Sequence, residues 1–189
     1  LPADSYGYKV ETEVMDKDGV SAAAMCAEMT MYWRSKGKSI LEHLDDMYKE
    51  FGYFEDRAIS KNFPGSAGVE TMAGIMSKLR NEGLKTLAGK TVLKIRDIQT
   101  STEYNPANPS EKTELTFPKS NVLQFFLEGG TIVSARPSGT EPKIKFYINT
   151  RTDVNGSTDE ALEEAKKEAS VLCDKITSDI NELLDAAGK

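Results

Sequence analysis

Apolar residues recur at helical spacing through the first part of this chain and at strand spacing through much of the rest. Val20, Ala23, Ala24, Ala27 and Met31 fall at three- and four-residue steps, which predicts a helix with one buried face. Asp16-Lys17-Asp18-Gly19 precedes it and Gly37 closes it. Ser39, with Glu42 three residues on, forms a capping box that opens a second helix. Its inward set is Leu41, Leu44, Met47, Tyr48 and Phe51, and Gly52 ends it. Tyr53 to Phe63 alternates and reads as a strand, broken by Pro64-Gly65. A third helix is expected from Ser66 to Arg80, with Val69, Met72, Ile75, Met76 and Leu79 inward.

The pattern then changes. Thr91 to Arg96 reads as a strand. Ser101 to Lys119 holds three prolines among many polar residues and is expected to be a long loop. Val122 to Leu127, Glu128-Gly129-Gly130 and Thr131 to Arg136 predict a β-hairpin. Lys143 to Thr150 is another strand. Ser157, with Glu160, is expected to cap a long last helix. Leu162, Ala165, Ala169, Leu172, Ile176, Ile180 and Leu183 form its apolar stripe, which should pack on the preceding sheet. The fold class expected is α/β in the first half followed by an α+β domain in the second.

Composition narrows the functional classes. The 189 residues are 39% hydrophobic and 29% charged, with a net charge of −6. A negative chain repels nucleic acid and anionic membrane surfaces at long range, so neither is an expected partner. No apolar run approaches the ~20 residues that cross a bilayer. The two cysteines, Cys26 and Cys173, make no disulfide scaffold. They are expected to be half-buried free thiols in a reducing, cytoplasmic setting. The single histidine, His43, cannot supply a zinc site or a Ser-His-Asp triad, and is expected as a half-exposed helix residue. The chain opens on Leu1-Pro2-Ala3 rather than Met, and is expected to be a piece of a longer protein.

One segment carries chemistry: Arg136-Pro137-Ser138-Gly139-Thr140-Glu141-Pro142-Lys143, between two expected strands. Arg136 offers a planar fork for two phosphate oxygens. Ser138 and Thr140 supply hydroxyl donors on short arms. Gly139 allows close backbone approach, and the two prolines reduce the entropy lost on binding. Lys145 adds positive charge on the following strand. Ser-Gly-Thr is also common in ordinary turns, so residue types alone leave a phosphate cradle and a plain turn about equally favoured. The G-x-x-x-x-G-K pattern of a Walker loop is absent.

Arg136 through Tyr147 resembles the phosphate-binding signature of the α-D-phosphohexomutases, in the phosphoglucomutase/phosphomannomutase branch. Pro118-Lys119-Ser120-Asn121-Val122-Leu123 resembles the segment before that signature. Asp4-Ser5-Tyr6-Gly7-Tyr8 resembles the sugar-recognition loop, and Asp16 to Ala23 the helix start after it. The resemblance implies the C-terminal part of an α/β mutase domain three (1–86), which reads sugar. A phosphate-gripping domain four (87–189) follows, an α+β domain like the TATA-box-binding protein with a long C-terminal helix. It implies that Arg136, Ser138, Gly139, Thr140 and Lys145 bind the phosphate of a hexose phosphate, that Ser5 contacts sugar, and that Lys17 faces the active site.

The catalytic serine and the Mg²⁺-binding aspartate loop would lie outside this chain, in missing N-terminal domains. No catalytic residue and no metal ligand is expected here, and the piece alone should be inactive. A hinge is expected near 84–89. The usual sugar loop reads Glu-x-Ser, whereas Ala3 stands at the Glu position here. Either Leu1-Pro2-Ala3 is altered at the cut end, or sugar is handled differently. The alternative reading is a stand-alone, non-catalytic module that binds anions or phosphosugars.

Overall fold

The computed structural model describes Asp16 and residues 18–187. Ser5, Lys17 and the Ala3 position lie outside the described residues. Two compact units are present, Leu1–Glu50 and Phe51–Lys189.

In the first unit, α1 spans Gly19–Ser35. Asp18 caps it, its carboxylate accepting from the N–H of Val20 at 3.0 Å and of Ser21 at 2.8 Å. The bonds from Ser21 and Val20 hold that carboxyl below its ordinary value. α2, Ile40–Phe51, opens on the expected capping box. Ser39 N–H donates to Glu42 at 2.6 Å, and Glu42 N–H donates back to the Ser39 hydroxyl at 3.2 Å. His43 stacks on Trp33 with ring centres 3.5 Å apart. The expected inward face of α1 is not buried: Val20 is 79% exposed and Met31 72%. A helical period shows which face can be covered, and covering it takes a partner that the helix does not supply. Cys26, on this helix, is exposed, whereas Cys173 is fully buried, so neither thiol is half-buried.

The second unit is an antiparallel sheet with helices on one face. Its strands are β1 (Tyr53–Asn62), β2 (Thr86–Leu87), β3 (Lys90–Asp97), β4 (Thr102–Asn105), β5 (Asn108–Glu114), β6 (Leu123–Leu127), β7 (Ile132–Pro137) and β8 (Lys143–Thr152). They lie in the order β1-β8-β7-β6-β3-β4-β5, with β2 paired to β3. α3 (Ser66–Glu82) and α4 (Asp159–Ala187) pack on this sheet. Ile95, Phe125, Val133, Ile144, Phe146 and Ile148 meet Ile75, Met76, Leu79, Ile176 and Ile180 in one core. The periodic stripes of α3 and α4 supply the helical half of that core, although Val69 stays 55% exposed. Among the described residues no helix is long and apolar enough to cross a membrane.

Two local expectations are revised. The supposed loop from Ser101 to Lys119 contains the hairpin β4–β5, in register Thr102↔Glu114 through Tyr104↔Lys112. Every residue of β5 is exposed, so it shows no apolar alternation. Pro109 is tolerated because β5 is the edge of the sheet. The cap of α4 is Thr158 rather than Ser157: its hydroxyl accepts from Ala161 N–H at 3.2 Å. Segment 84–89 carries β2, and Ala88 N–H donates to Asp179 on α4 at 2.7 Å.

The division between compact units falls between Glu50 and Phe51. β1 pairs with β8 along its whole length, from Tyr53↔Thr152 to Asn62↔Lys143, and α3 shares the core of the sheet.

Candidate functional site

The candidate loop joins β7 to β8, and the strand ladder fixes what stands beside it. Along β8 the residues Ile144, Phe146 and Ile148 are buried toward the helices. Alternation therefore sends Lys143, Lys145 and Tyr147 to the opposite, open face. Arg136 on β7 lies directly opposite Lys145 on β8, and Ser60 on β1 lies opposite Lys145 from the other side. Cross-strand neighbours have Cα atoms ~4.5–5.5 Å apart, so two cations and a hydroxyl form one row at the mouth of the loop.

The loop is held by its own backbone. Ser138 N–H donates to Lys143 C=O at 2.8 Å, and Lys143 N–H donates to Glu141 C=O at 2.7 Å. The Ser138 hydroxyl oxygen accepts from the N–H of Thr140 at 3.4 Å and of Glu141 at 3.3 Å. Its own O–H remains a donor. Phe63 N–H, just past β1, donates to Pro142 C=O at 2.7 Å and ties the loop to a buried side chain. Gly139 is exposed, with open space where a Cβ would stand, so close approach from solvent is unobstructed.

The expected residues Arg136, Ser138, Gly139, Thr140 and Lys145 thus come together in one loop and its flanking row. The sequence reading gave no role to two further charged groups there. Glu141 forms an ion pair with Lys143. The hydrogen bond and charge of Lys143, with a smaller contribution from Lys145, hold the Glu141 carboxyl below its ordinary range. Both residues stood in the motif, and the acid–base pair at i and i+2 was the available signal. Ser60 had no such signal, because strand register is not written in local spacing.

The segment before β6 is anchored as well. The Arg80 guanidinium on α3 donates to Asn121 at 2.8 Å, and its Nε donates to the buried Asp97 carboxylate at 2.9 Å. A separate cleft of about 890 Å³ lies at the far end of the sheet, beside the β6–β7 turn. Lys90, Arg151, Lys167 and Lys175 there are matched by Glu128, Asp153, Glu164 and Glu168. That balance favours no anion. Among the described residues no group of three or more His, Cys, Asp or Glu could hold a metal ion.

Comparison with known proteins brings out relatives that share a name. The chain is 35% identical over 150 residues to a phosphoglucomutase of Staphylococcus saprophyticus, covering 79% of the chain and 27% of that protein. It is 32% identical over 151 residues to a phosphoglucomutase of Staphylococcus haemolyticus, with the same coverage of each. It is 32% identical over 148 residues to that of Staphylococcus aureus, covering 78% of the chain and 26% of that protein. The chain therefore spans about a quarter of the length of the curated relatives it matches. No family model matches it.

Proposed function

We propose that this chain, whose curated relatives support the phosphoglucomutase family, is the phosphate-holding C-terminal part of an enzyme that interconverts hexose 1-phosphate and hexose 6-phosphate. The observation that carries the reading is the row of Arg136 and Lys145 beside the Ser138–Thr140 turn. In a chain of net charge −6, an anion must be caught by such a local cluster.

Within this reading Arg136 forks two phosphate oxygens, Lys145 adds charge, and Ser138 and Thr140 donate hydroxyls. Such a cradle contacts phosphate and not sugar. It therefore accepts the phosphate of either isomer, as a mutase requires when the bisphosphate intermediate reorients. By the resemblance, contact with sugar would fall to Ser5 and an active-site role to Lys17, both outside the described residues. The phosphoserine that gives and takes back the phosphoryl group lies in other domains of the longer chain. So does the Mg²⁺ that would stabilise charge on the transferring group. The residues of this chain position the substrate for that transfer, and positioning with charge stabilisation is most of phosphoryl-transfer catalysis.

The test is calorimetric titration of the chain with glucose 1-phosphate and with inorganic phosphate. Weak binding of both is expected, with mutase activity absent. Arg136→Ala should weaken each by about tenfold or more, as expected for a lost charge-assisted bidentate contact. No binding by the parent chain, or no effect of Arg136→Ala, overturns the assignment.

A further inference from the structure

The five positions named so far are all donors or cations, yet the loop also carries an anion. Glu141 sits at its tip, 58% exposed, and its carboxylate is paired with the Lys143 ammonium. Lys143 stands two residues before Lys145 on the same strand, and so on the same open face. Its cross-strand partner on β1 is Asn62, next in the outward-facing set after Ser60. The cations at the mouth of the loop are therefore Arg136, Lys143 and Lys145, and Lys143 forms an ion pair with a carboxylate of the loop itself.

We propose that Lys143 is a further phosphate-binding residue and that Glu141 is a built-in competitor for it, setting how tightly the loop holds a phosphate dianion. This rests on the reading of the loop as a phosphate cradle. A phosphate approaching Arg136 and Lys145 meets Lys143 within reach, but only by displacing the Glu141 carboxylate from it. The two anions repel, so the bound phosphate and the Glu141–Lys143 pair oppose one another. The exposed pair is also cheap to break, because solvent-exposed ion pairs contribute little. Binding remains favourable while its strength is trimmed. A cradle that must release its phosphate for the sugar to turn gains from such trimming.

Glu141 stays ionised at neutral pH, since Lys143 holds its carboxyl low. The backbone does not depend on its side chain. The loop's turn is made by the Ser138 and Lys143 main chains and by Ser138 Oγ. Substitution at Glu141 therefore reads charge and not folding.

The experiment titrates inorganic phosphate into the chain and four variants: Glu141→Gln, Lys143→Met, the double variant, and Arg136→Ala. At low salt, Glu141→Gln should bind phosphate about three- to tenfold more tightly, an effect that shrinks in 0.5 M salt as screening shortens the range of the charge. Lys143→Met should bind more weakly than the parent, and in its background Glu141→Gln should recover little of its gain. If Glu141→Gln binds no more tightly than the parent, the competitor role is overturned. If its gain is undiminished in the Lys143→Met background, Glu141 does not act through Lys143. A loss of binding in Arg136→Ala with an unchanged Glu141→Gln sinks this inference and leaves the cradle standing. Absence of phosphate binding in parent and variants alike sinks both.

Discussion

Removing the Asp97 carboxylate should cost the sheet unit a large part of its stability. Asp97 is 3% exposed at the end of β3. One oxygen accepts from Arg80 Nε at 2.9 Å and from the Thr100 hydroxyl at 2.8 Å, and the other from Gln99 N–H at 3.1 Å. Bonds to a charged acceptor contribute ~1.5–3 kcal/mol each, though not additively. Breaking a buried ion pair by removing one partner costs ~3–5 kcal/mol. Arg80 keeps a side-chain exposure of 21%, so it is partly rehydrated and the lower end applies. Asp97→Ala should therefore cost ~3 kcal/mol, out of the ~5–15 kcal/mol typical of a folded domain. With a urea slope of ~2 kcal/mol per molar, the midpoint should fall by ~1.5 M. Far-UV circular dichroism follows it. Arg80→Ala should cost nearly as much, and the double variant little more than either. A midpoint shift under ~0.5 M, or simple additivity of the two variants, would refute the buried-pair reasoning.

Gly68→Ala should lower the melting temperature. A Cβ there would stand 1.9 Å from the Phe63 carbonyl oxygen, which is backbone and cannot swing aside, so a loss of ~1–3 kcal/mol is expected. A variant melting with the parent would show that the helix start yields at no cost. Glu103 supplies a pH test. Burial resists its ionisation, but bonds from Arg96 and Lys94 outweigh this and hold its carboxyl below the ordinary 4.5. A carboxyl depressed on folding stabilises above its unfolded value and loses that contribution as pH falls through its folded one. Glu103→Gln should thus be ~1 kcal/mol less stable than the parent at pH 7, with the gap closing in acid below the ordinary carboxylate range. A gap constant with pH would remove the charge from the explanation.

Where an element buries one face, its outline could be read from the residues. The stripe Leu162, Ala165, Ala169, Ile176, Ile180 marks α4 because each of those positions is buried. β5 left no trace, since it is held by backbone pairing at an edge and buries no side chain. α1 shows the opposite failure: its period foretold a helix correctly but a buried face wrongly, because a partner's presence is not encoded in a helix's own spacing. Thr158 displaced Ser157 as the cap for a smaller reason. Adjacent residues both had the chemistry, and the helix start decided between them.

The site shows a different division. Its residue types were legible as a motif, but the row formed by Arg136, Lys145 and Ser60 exists only through the pairing of three strands. That register is enforced by the core. On β8, Ile144, Phe146 and Ile148 are fully or nearly fully buried, while Lys143 and Lys145 alternate with them. A slip by one residue would drive both lysines toward α3 and α4 and expose the three apolar side chains. Each apolar side chain exposed forfeits ~1.5–3 kcal/mol, and each ammonium forced inward without a partner costs several more. The sum is comparable to the whole stability of an ordinary domain, so the slipped ladder is not populated. The same alternation that fills the core therefore holds the cations in line, and the row proposed to grip a phosphate follows from the packing of the opposite face.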